Sequence, residues 1–318
     1  MKKYLLAMLA ALLPATLHAQ CQGTDLRSLY PPAEVAALRA SLNELPYAEG
    51  IAYEATRGDT RVFLFGTVHL HDVAIPELVH SRLETADMLL VEITPLEQEG
   101  ISTFLRTPSN IMRNPDEPGL AEVLGEELWP LYRDHTTTVG LPESIAERLQ
   151  SWFALTLIGL PVCEIRGQAQ TPTLDNRIIA AAQTAGVPVS GLETAFDGFA
   201  PLRDTPEEDR TELLREAVRD LANAESAIVT AKLLWQEEQT QFLINLDQLE
   251  NDSNPMMDGV REGLLEDRNR AWLPRILLAA DYADDIMVAV GAGHLGGEQG
   301  LLVLLEERGF AITRLNPF

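Results

Sequence analysis

Apolar positions along the chain fall into two rhythms: short unbroken runs, and longer stretches with helical spacing. The clearest runs, 61–65 and 286–290, each lead into a glycine with a histidine three residues beyond it. These are Gly66-Thr67-Val68-His69 and Gly291-Ala292-Gly293-His294. Each pattern predicts a buried strand, a glycine that turns the chain, and an imidazole carried past the strand end. Ahead of the first run, residues 50–56 alternate and Arg57-Gly58-Asp59 supplies turn chemistry, which together predict a hairpin. Residues 88–91 form a compact strand ending at Glu92. Residues 187–190 form a short one leading into Gly191-Leu192-Glu193, and 310–315 a last one. Helical spacing covers 32–42, 75–86, 173–185, 206–238, 255–278 and 300–308, with Gly186 and Gly309 as stops and Pro274 as a bend. The stretch 95–167 reads as helical, cut into short pieces by Pro108, Pro115, Pro118, Pro130 and Pro142.

Strands alternating with helices predict an α/β protein. The expected architecture is a central, mainly parallel or mixed sheet with an N-terminal hairpin and large helical insertions at about 95–167 and 203–260. One domain would span 20–318. Four strands are each followed within a few residues by a polar group: His69, Glu92, Glu193 and His294. In open α/β sheets the ligand crevice lies beyond the carboxyl ends of the strands. If the strands before His69 and His294 are neighbours, two imidazoles and two carboxylates converge there. The helical insertions would then serve as walls or a lid.

Composition narrows the setting. Lys2-Lys3, an apolar stretch from Leu5 to Leu13 and Leu17-His18-Ala19 predict a signal peptide over 1–19, and hence a periplasmic or secreted protein. No segment beyond it reaches the roughly 18 uninterrupted apolar residues of a membrane span. The net charge of −24 becomes −26 once Lys2 and Lys3 are removed. Such acidity argues against nucleic acid as a partner and leaves a peptide or small-molecule substrate. Cys21 and Cys163 are the only cysteines. In an oxidising compartment they can pair, while Cys21 alone could instead carry a lipid. Two cysteines exclude a multi-cysteine zinc site and an iron–sulfur cluster.

The remaining chemistry is weighed residue by residue. Gly291-Ala292-Gly293-His294-Leu295-Gly296 fits the dinucleotide fingerprint, but the chain has no room for the second strand and its acidic residue. His69 and His294 gain weight from their shared context. His71 would join His69 on an extended chain, whereas His80 and His135 sit on helices and read as surface residues. Glu92 and Glu193 end strands and can pair with arginine or hold metal. Asp175 lies on a helix, where capping or ion pairing is its expected role. Arg268 can form surface pairs or instead reach an oxyanion or a catalytic carboxylate. No G-x-S-x-G, H-E-x-x-H, Walker A or C-x-x-C-H motif is present.

Taken in order, several stretches resemble the TraB/GumN family, which includes the animal Tiki proteins. They are Leu64-Phe65-Gly66-Thr67-Val68-His69, Leu90-Val91-Glu92, Asp175 through Gly191-Leu192-Glu193-Thr194, Glu266-Asp267-Arg268-Asn269, and Val290-Gly291-Ala292-Gly293-His294-Leu295. The resemblance spans about 45–318. It implies a metal-dependent protease like the Tiki proteins, which clip secreted Wnt proteins, with His69, His294, Glu92 and Arg268 as site residues. It also implies kinship with erythromycin esterases and haem-binding ChaN proteins. Where the family often has Gln after Glu-Thr, this chain has Ala195-Phe196-Asp197-Gly198.

The resulting expectation is an exported, metal-dependent hydrolase, a peptidase in kind. His69, His294 and Glu92 would hold a divalent ion such as Mn²⁺, Co²⁺ or Zn²⁺, and Glu92, Glu193 and Arg268 would serve catalysis. Two alternatives remain: a metal-free His/Glu esterase-like hydrolase, and a non-catalytic protein binding haem, iron or a peptide.

Overall fold

The computed structural model describes residues 21–194, 196–250 and 255–318. The signal-peptide reading of 1–19 lies outside the described residues. Six strands form one mixed sheet in the order β4-β3-β5-β2-β1-β6. They are β1 (Ala52–Arg57), β2 (Thr60–Thr67), β3 (Met88–Val91), β4 (Val189–Gly191), β5 (Asp285–Gly291) and β6 (Ala311–Arg314). β1 and β2 make the predicted hairpin, turning at Gly58, whose φ of 62° a side chain would resist. β2 runs parallel to β5, pairing Gly66 with Val290 and Thr67 with Gly291. β3 lies parallel on the other flank of β5, and β4 parallel to β3. The two Gly-x-x-His strands are therefore neighbours, and four parallel strands end at one edge.

β5 is apolar throughout because both sheet faces are covered. Ile286, Val288 and Val290 pack with Trp272, Ile276, Leu301 and Leu305, whereas Met287 and Ala289 join the layer of Val79, Leu83, Ile178 and Trp235. A third cluster lies away from the sheet. There Leu120, Leu124, Tyr132 and Trp152 pack with Leu214 and Val218. Among the described residues no helix is long and apolar enough to cross a membrane.

Five helices position the site: α1 (Pro95–Leu105), α2 (Ser151–Ile158), α3 (Val162–Gln168), α4 (Leu174–Ala185) and α5 (Arg268–Ala280). Two expected helices differ in form. The stretch 206–238 breaks into Glu207–Arg219 and Ala224–Gln236, because its apolar residues serve different cores. Leu214 and Val218 join the helical cluster, but Trp235 packs on the sheet and donates from Nε1 to Gly66 O at 2.8 Å. The stretch 255–278 contains a π-helical turn, Gly263–Asp267, immediately before α5. Cys21 and Cys163 form a disulfide, so of the two fates open to Cys21 the chain takes pairing.

Candidate active site

At the carboxyl edge of the sheet, each polar group arrives on its own element. His69 follows β2, Glu92 follows β3, Glu193 follows β4, and His294 ends a 3₁₀ turn, Ala292–His294, after β5. Glycine makes the close approach possible. A Cβ on Gly66 would lie 2.8 Å from Ala292 Cα, so only glycine lets the turn after β5 settle against β2. The π-helical turn before α5 adds a residue to the helix and sets where Arg268 emerges, with its Nη1 donating to Leu264 O at 2.9 Å.

Arg268 is the hub. Its Nε and Nη2 each donate at 2.8 Å to the two oxygens of Glu193, and Nη2 also donates to Glu92 Oε2 at 2.6 Å. Trp272 Nε1 donates to Glu193 Oε2 at 3.1 Å, and the indole packs 4.3 Å from the His294 ring. Glu92 Oε1 accepts from the Gly291 N–H at 2.7 Å and lies 3.9 Å from His294 Nε2. Both oxygens of Glu193 are thus taken up by Arg268 and Trp272. Glu193 therefore holds the guanidinium in place while lining the cleft.

Each imidazole is oriented by a second side chain. His69 Nδ1 lies 2.9 Å from Asp175 Oδ2, while the Thr67 hydroxyl donates to Asp175 Oδ1. His294 Nδ1 lies 2.8 Å from Asn269 Oδ1. Asn269 spends its Nδ2 on the carbonyls of His294 and Gln299, which leaves Oδ1 as the acceptor. The His294 ring therefore carries its proton on Nδ1, and the His69 ring donates from Nδ1 to Asp175.

The electrostatics follow from this packing. The Asp175 charge beside His69 outweighs the cost of burial and raises that imidazole to about 10. Burial dominates at His294 and, against the pull of Glu92, pushes it down to about 3, so this ring is neutral at ordinary pH. Burial alone would raise Glu92, but His294, His69, Arg268 and the Gly291 N–H together hold it at about 2. Burial raises Glu193, with Arg268 opposing.

The site opens into a cleft of about 870 Å³. His69, Glu92, Asp175, Glu193 and Arg268 line one part, and Ile101, Leu160, Ile179, Phe199 and Leu264 line another. The insertion 95–167 provides wall residues, as expected. The insertion 203–260 packs elsewhere and contributes none of the described lining.

A model of the TraB/PrgY/gumN family matches residues 51–314. The chain belongs to this family. Among curated proteins, none matches it.

In this TraB/PrgY/gumN chain, His69, Glu92, Glu193, Arg268 and His294 come together at one sheet edge. His71 does not join them. The chain turns after β2 instead of running extended, and His71 is buried with Nδ1 2.8 Å from Glu164 Oε2. His135 is half-buried rather than on the surface, and its Nε2 is enclosed. Two residues with positioning roles were not singled out from sequence, Thr67 and Asn269, while Asp175, for which ion pairing was favoured over a site role, does make an ion pair, with His69 at the site. The available signals were that Asp175 opens a helix directed at the sheet edge and that Asn269 adjoins Arg268.

The donor set suits a divalent ion in kind. Both imidazoles and a carboxylate converge near Gly291, where an added Cβ would lie 3.3 Å from Glu92 Oε1 and 3.6 Å from both His69 Nε2 and His294 Cδ2. His69, held protonated by Asp175, would give up its Nε2 proton on binding an ion. Glu92, Glu193 and Asp175 against Arg268 also leave negative charge for a cation to offset. The spacing is less complete. Among the described residues no three such side chains already stand at distances that hold a metal, and Arg268 Nη1 faces His294 Nε2 at 3.3 Å. Loading an ion would require His294 to exchange that guanidinium contact.

Proposed function

We propose that the protein is an exported hydrolase cutting amide bonds of a peptide substrate, with a divalent ion held by His69, His294 and Glu92. The observation that carries this reading is the convergence of both imidazoles and Glu92 on the hollow at Gly291, at one end of a cleft large enough for a ligand. The ion, Mn²⁺, Co²⁺ or Zn²⁺, would supply Lewis acidity and a water acidic enough to ionise near neutral pH.

The protein's own groups account for the rest. Asp175 fixes the His69 tautomer, and Asn269 fixes that of His294, so both Nε2 atoms face the hollow. Glu92, held ionised, would take the proton of the attacking water at its free lone pairs and pass it to the nitrogen of the leaving amine. Arg268, clamped by Glu193, would turn the Nη1 N–H released from His294 toward the oxygen that gains charge as the carbonyl is attacked. The apolar part of the cleft excludes bulk water and strengthens these interactions.

The test is metal analysis of untagged protein, followed by exhaustive chelation and a hydrolysis assay on a peptide library. Activity that falls on chelation and returns with added ion supports the reading. A His294→Ala variant that keeps full activity with an unchanged far-UV spectrum removes it. One observation favours a metal-free hydrolase built from the same groups: Arg268 already occupies the lone pair of His294, and His69 already has its carboxylate partner. Activity that survives chelation would select that version.

A further inference from the structure

Two helices facing the cleft carry the same pair of side chains. α1 presents Gln98 and, three residues on, Ile101; α4 presents Asn176 and, three residues on, Ile179. The two amides meet, with Gln98 Nε2 2.9 Å from Asn176 Oδ1. One acceptor on Gln98 and the remaining donors on Asn176 then stay available. Turning both amides over exchanges the roles but still leaves one acceptor on one side and one donor on the other. That is the complement of a peptide unit, which offers an N–H and a C=O. Asn176 directly follows Asp175, the partner of His69, so the amide pair sits beside the reacting groups.

Beyond the amides the lining is apolar: Ile101, Leu160, Ile179, Phe199 and Leu264. The charged groups of the cleft are mostly acidic, which disfavours an anionic ligand. We infer that the cleft selects a neutral or cationic peptide whose residue beside the cut amide bears a bulky apolar side chain, with Gln98 and Asn176 gripping the adjacent backbone amide. The inference rests on the hydrolase reading for the choice of a peptide, yet it is a statement about binding.

Its test therefore reads binding and cleavage separately on the full chain. Two uncharged, end-blocked hexapeptides differing only in a central leucine or serine are titrated calorimetrically, and the mixtures are then assayed for cleavage by mass spectrometry. The leucine peptide is expected to bind at least about tenfold more tightly. Ile101→Ser, at a half-buried helix position, should bring the two affinities to within about threefold of each other. Gln98→Leu should weaken the leucine peptide by about three- to tenfold. Equal affinities for the two peptides, no binding of either, or an Ile101→Ser variant that keeps the full preference would each overturn the inference. Selective binding without cleavage would keep it and reject the hydrolase reading. Cleavage of both peptides without preference would do the reverse.

Discussion

Arg268 Nη1 stands 3.3 Å from His294 Nε2. A guanidinium only donates, so Nε2 is the acceptor and the ring proton lies on Nδ1, facing Asn269. The same guanidinium bridges Glu92 and Glu193, and so one side chain holds both carboxylates and fixes the tautomer of His294.

Removing that cation should be costly. Arg268→Ala leaves Glu193 without its cation and Glu92 with only the His69 charge, and breaking a buried pair in this way costs about 3–5 kcal/mol. Arg268→Lys restores a charge but cannot present Nε and Nη2 together to Glu193. We expect urea unfolding to show a large loss for the alanine variant and a smaller one for lysine. Hydrolysis should fall in both, and lysine retaining full activity would contradict the oxyanion role.

The pH dependence of stability has two limbs. His69 is raised by Asp175, so its contribution is complete below about 6.5 and is lost as pH climbs through about 10. His294 and Glu92 are lowered. Their contributions are present above about 6.5 and about 4.5 and are lost as pH falls through about 3 and about 2 respectively. The His69 side chain is 63% exposed, so solvent screens the Asp175 charge and the alkaline limb should be the shallower. Thermal midpoints of chelator-treated protein should therefore peak near neutrality. Asp175→Asn should flatten the alkaline limb and, because against the cost of burial His69 and Thr67 hold that carboxyl low, also soften the acid limb. His294→Gln should flatten the acid limb alone, and an alkaline limb unchanged by Asp175→Asn would show that the His69 assignment is wrong.

The disulfide ties the N-terminal segment to the helix that supports the site. Cys163 lies on α3, where Glu164 holds His71 and Gln168 Nε2 donates to His69 O at 3.3 Å. With the cysteines 142 positions apart, reduction should cost about 2–4 kcal/mol. The urea midpoint measured with and without reductant reads this directly. A Cys163→Ser variant should match the reduced protein, and an unchanged midpoint would show that the link is dispensable.

Much of the sheet edge was legible because strand endings have a local signature: an apolar run, a glycine, then a polar group. Gly66 and Gly291 mark neighbouring strand ends that no local signal pairs; their adjacency follows from the parallel topology. Asp175 and Asn269 were harder to read. Both lie on helices, where an acidic or amide residue has many ordinary uses, and only packing aims them at an imidazole. His71 misled for the opposite reason. The rule that places residues two apart on one face holds for extended chain, but this segment turns and delivers the ring to Glu164. The break in 206–238 was hidden because helical spacing reports that a face is apolar, not which core receives it.

Gly291 offers the most selective probe of the hollow. Its φ of −51° is open to any residue, so alanine there incurs no backbone strain. The new methyl would sit 3.3 Å from Glu92 Oε1 and 3.6 Å from His69 Nε2, in the space that the proposed reaction assigns to water or an ion. Gly291→Ala should therefore leave the thermal midpoint within a few degrees of wild type, a shift of about 1 kcal/mol or less. Hydrolysis should fall at least about tenfold, an added barrier of about 1.4 kcal/mol. Metal uptake, measured by titration into chelated protein, should weaken in parallel. Full activity with normal metal affinity would mean that the reaction takes place elsewhere in the cleft.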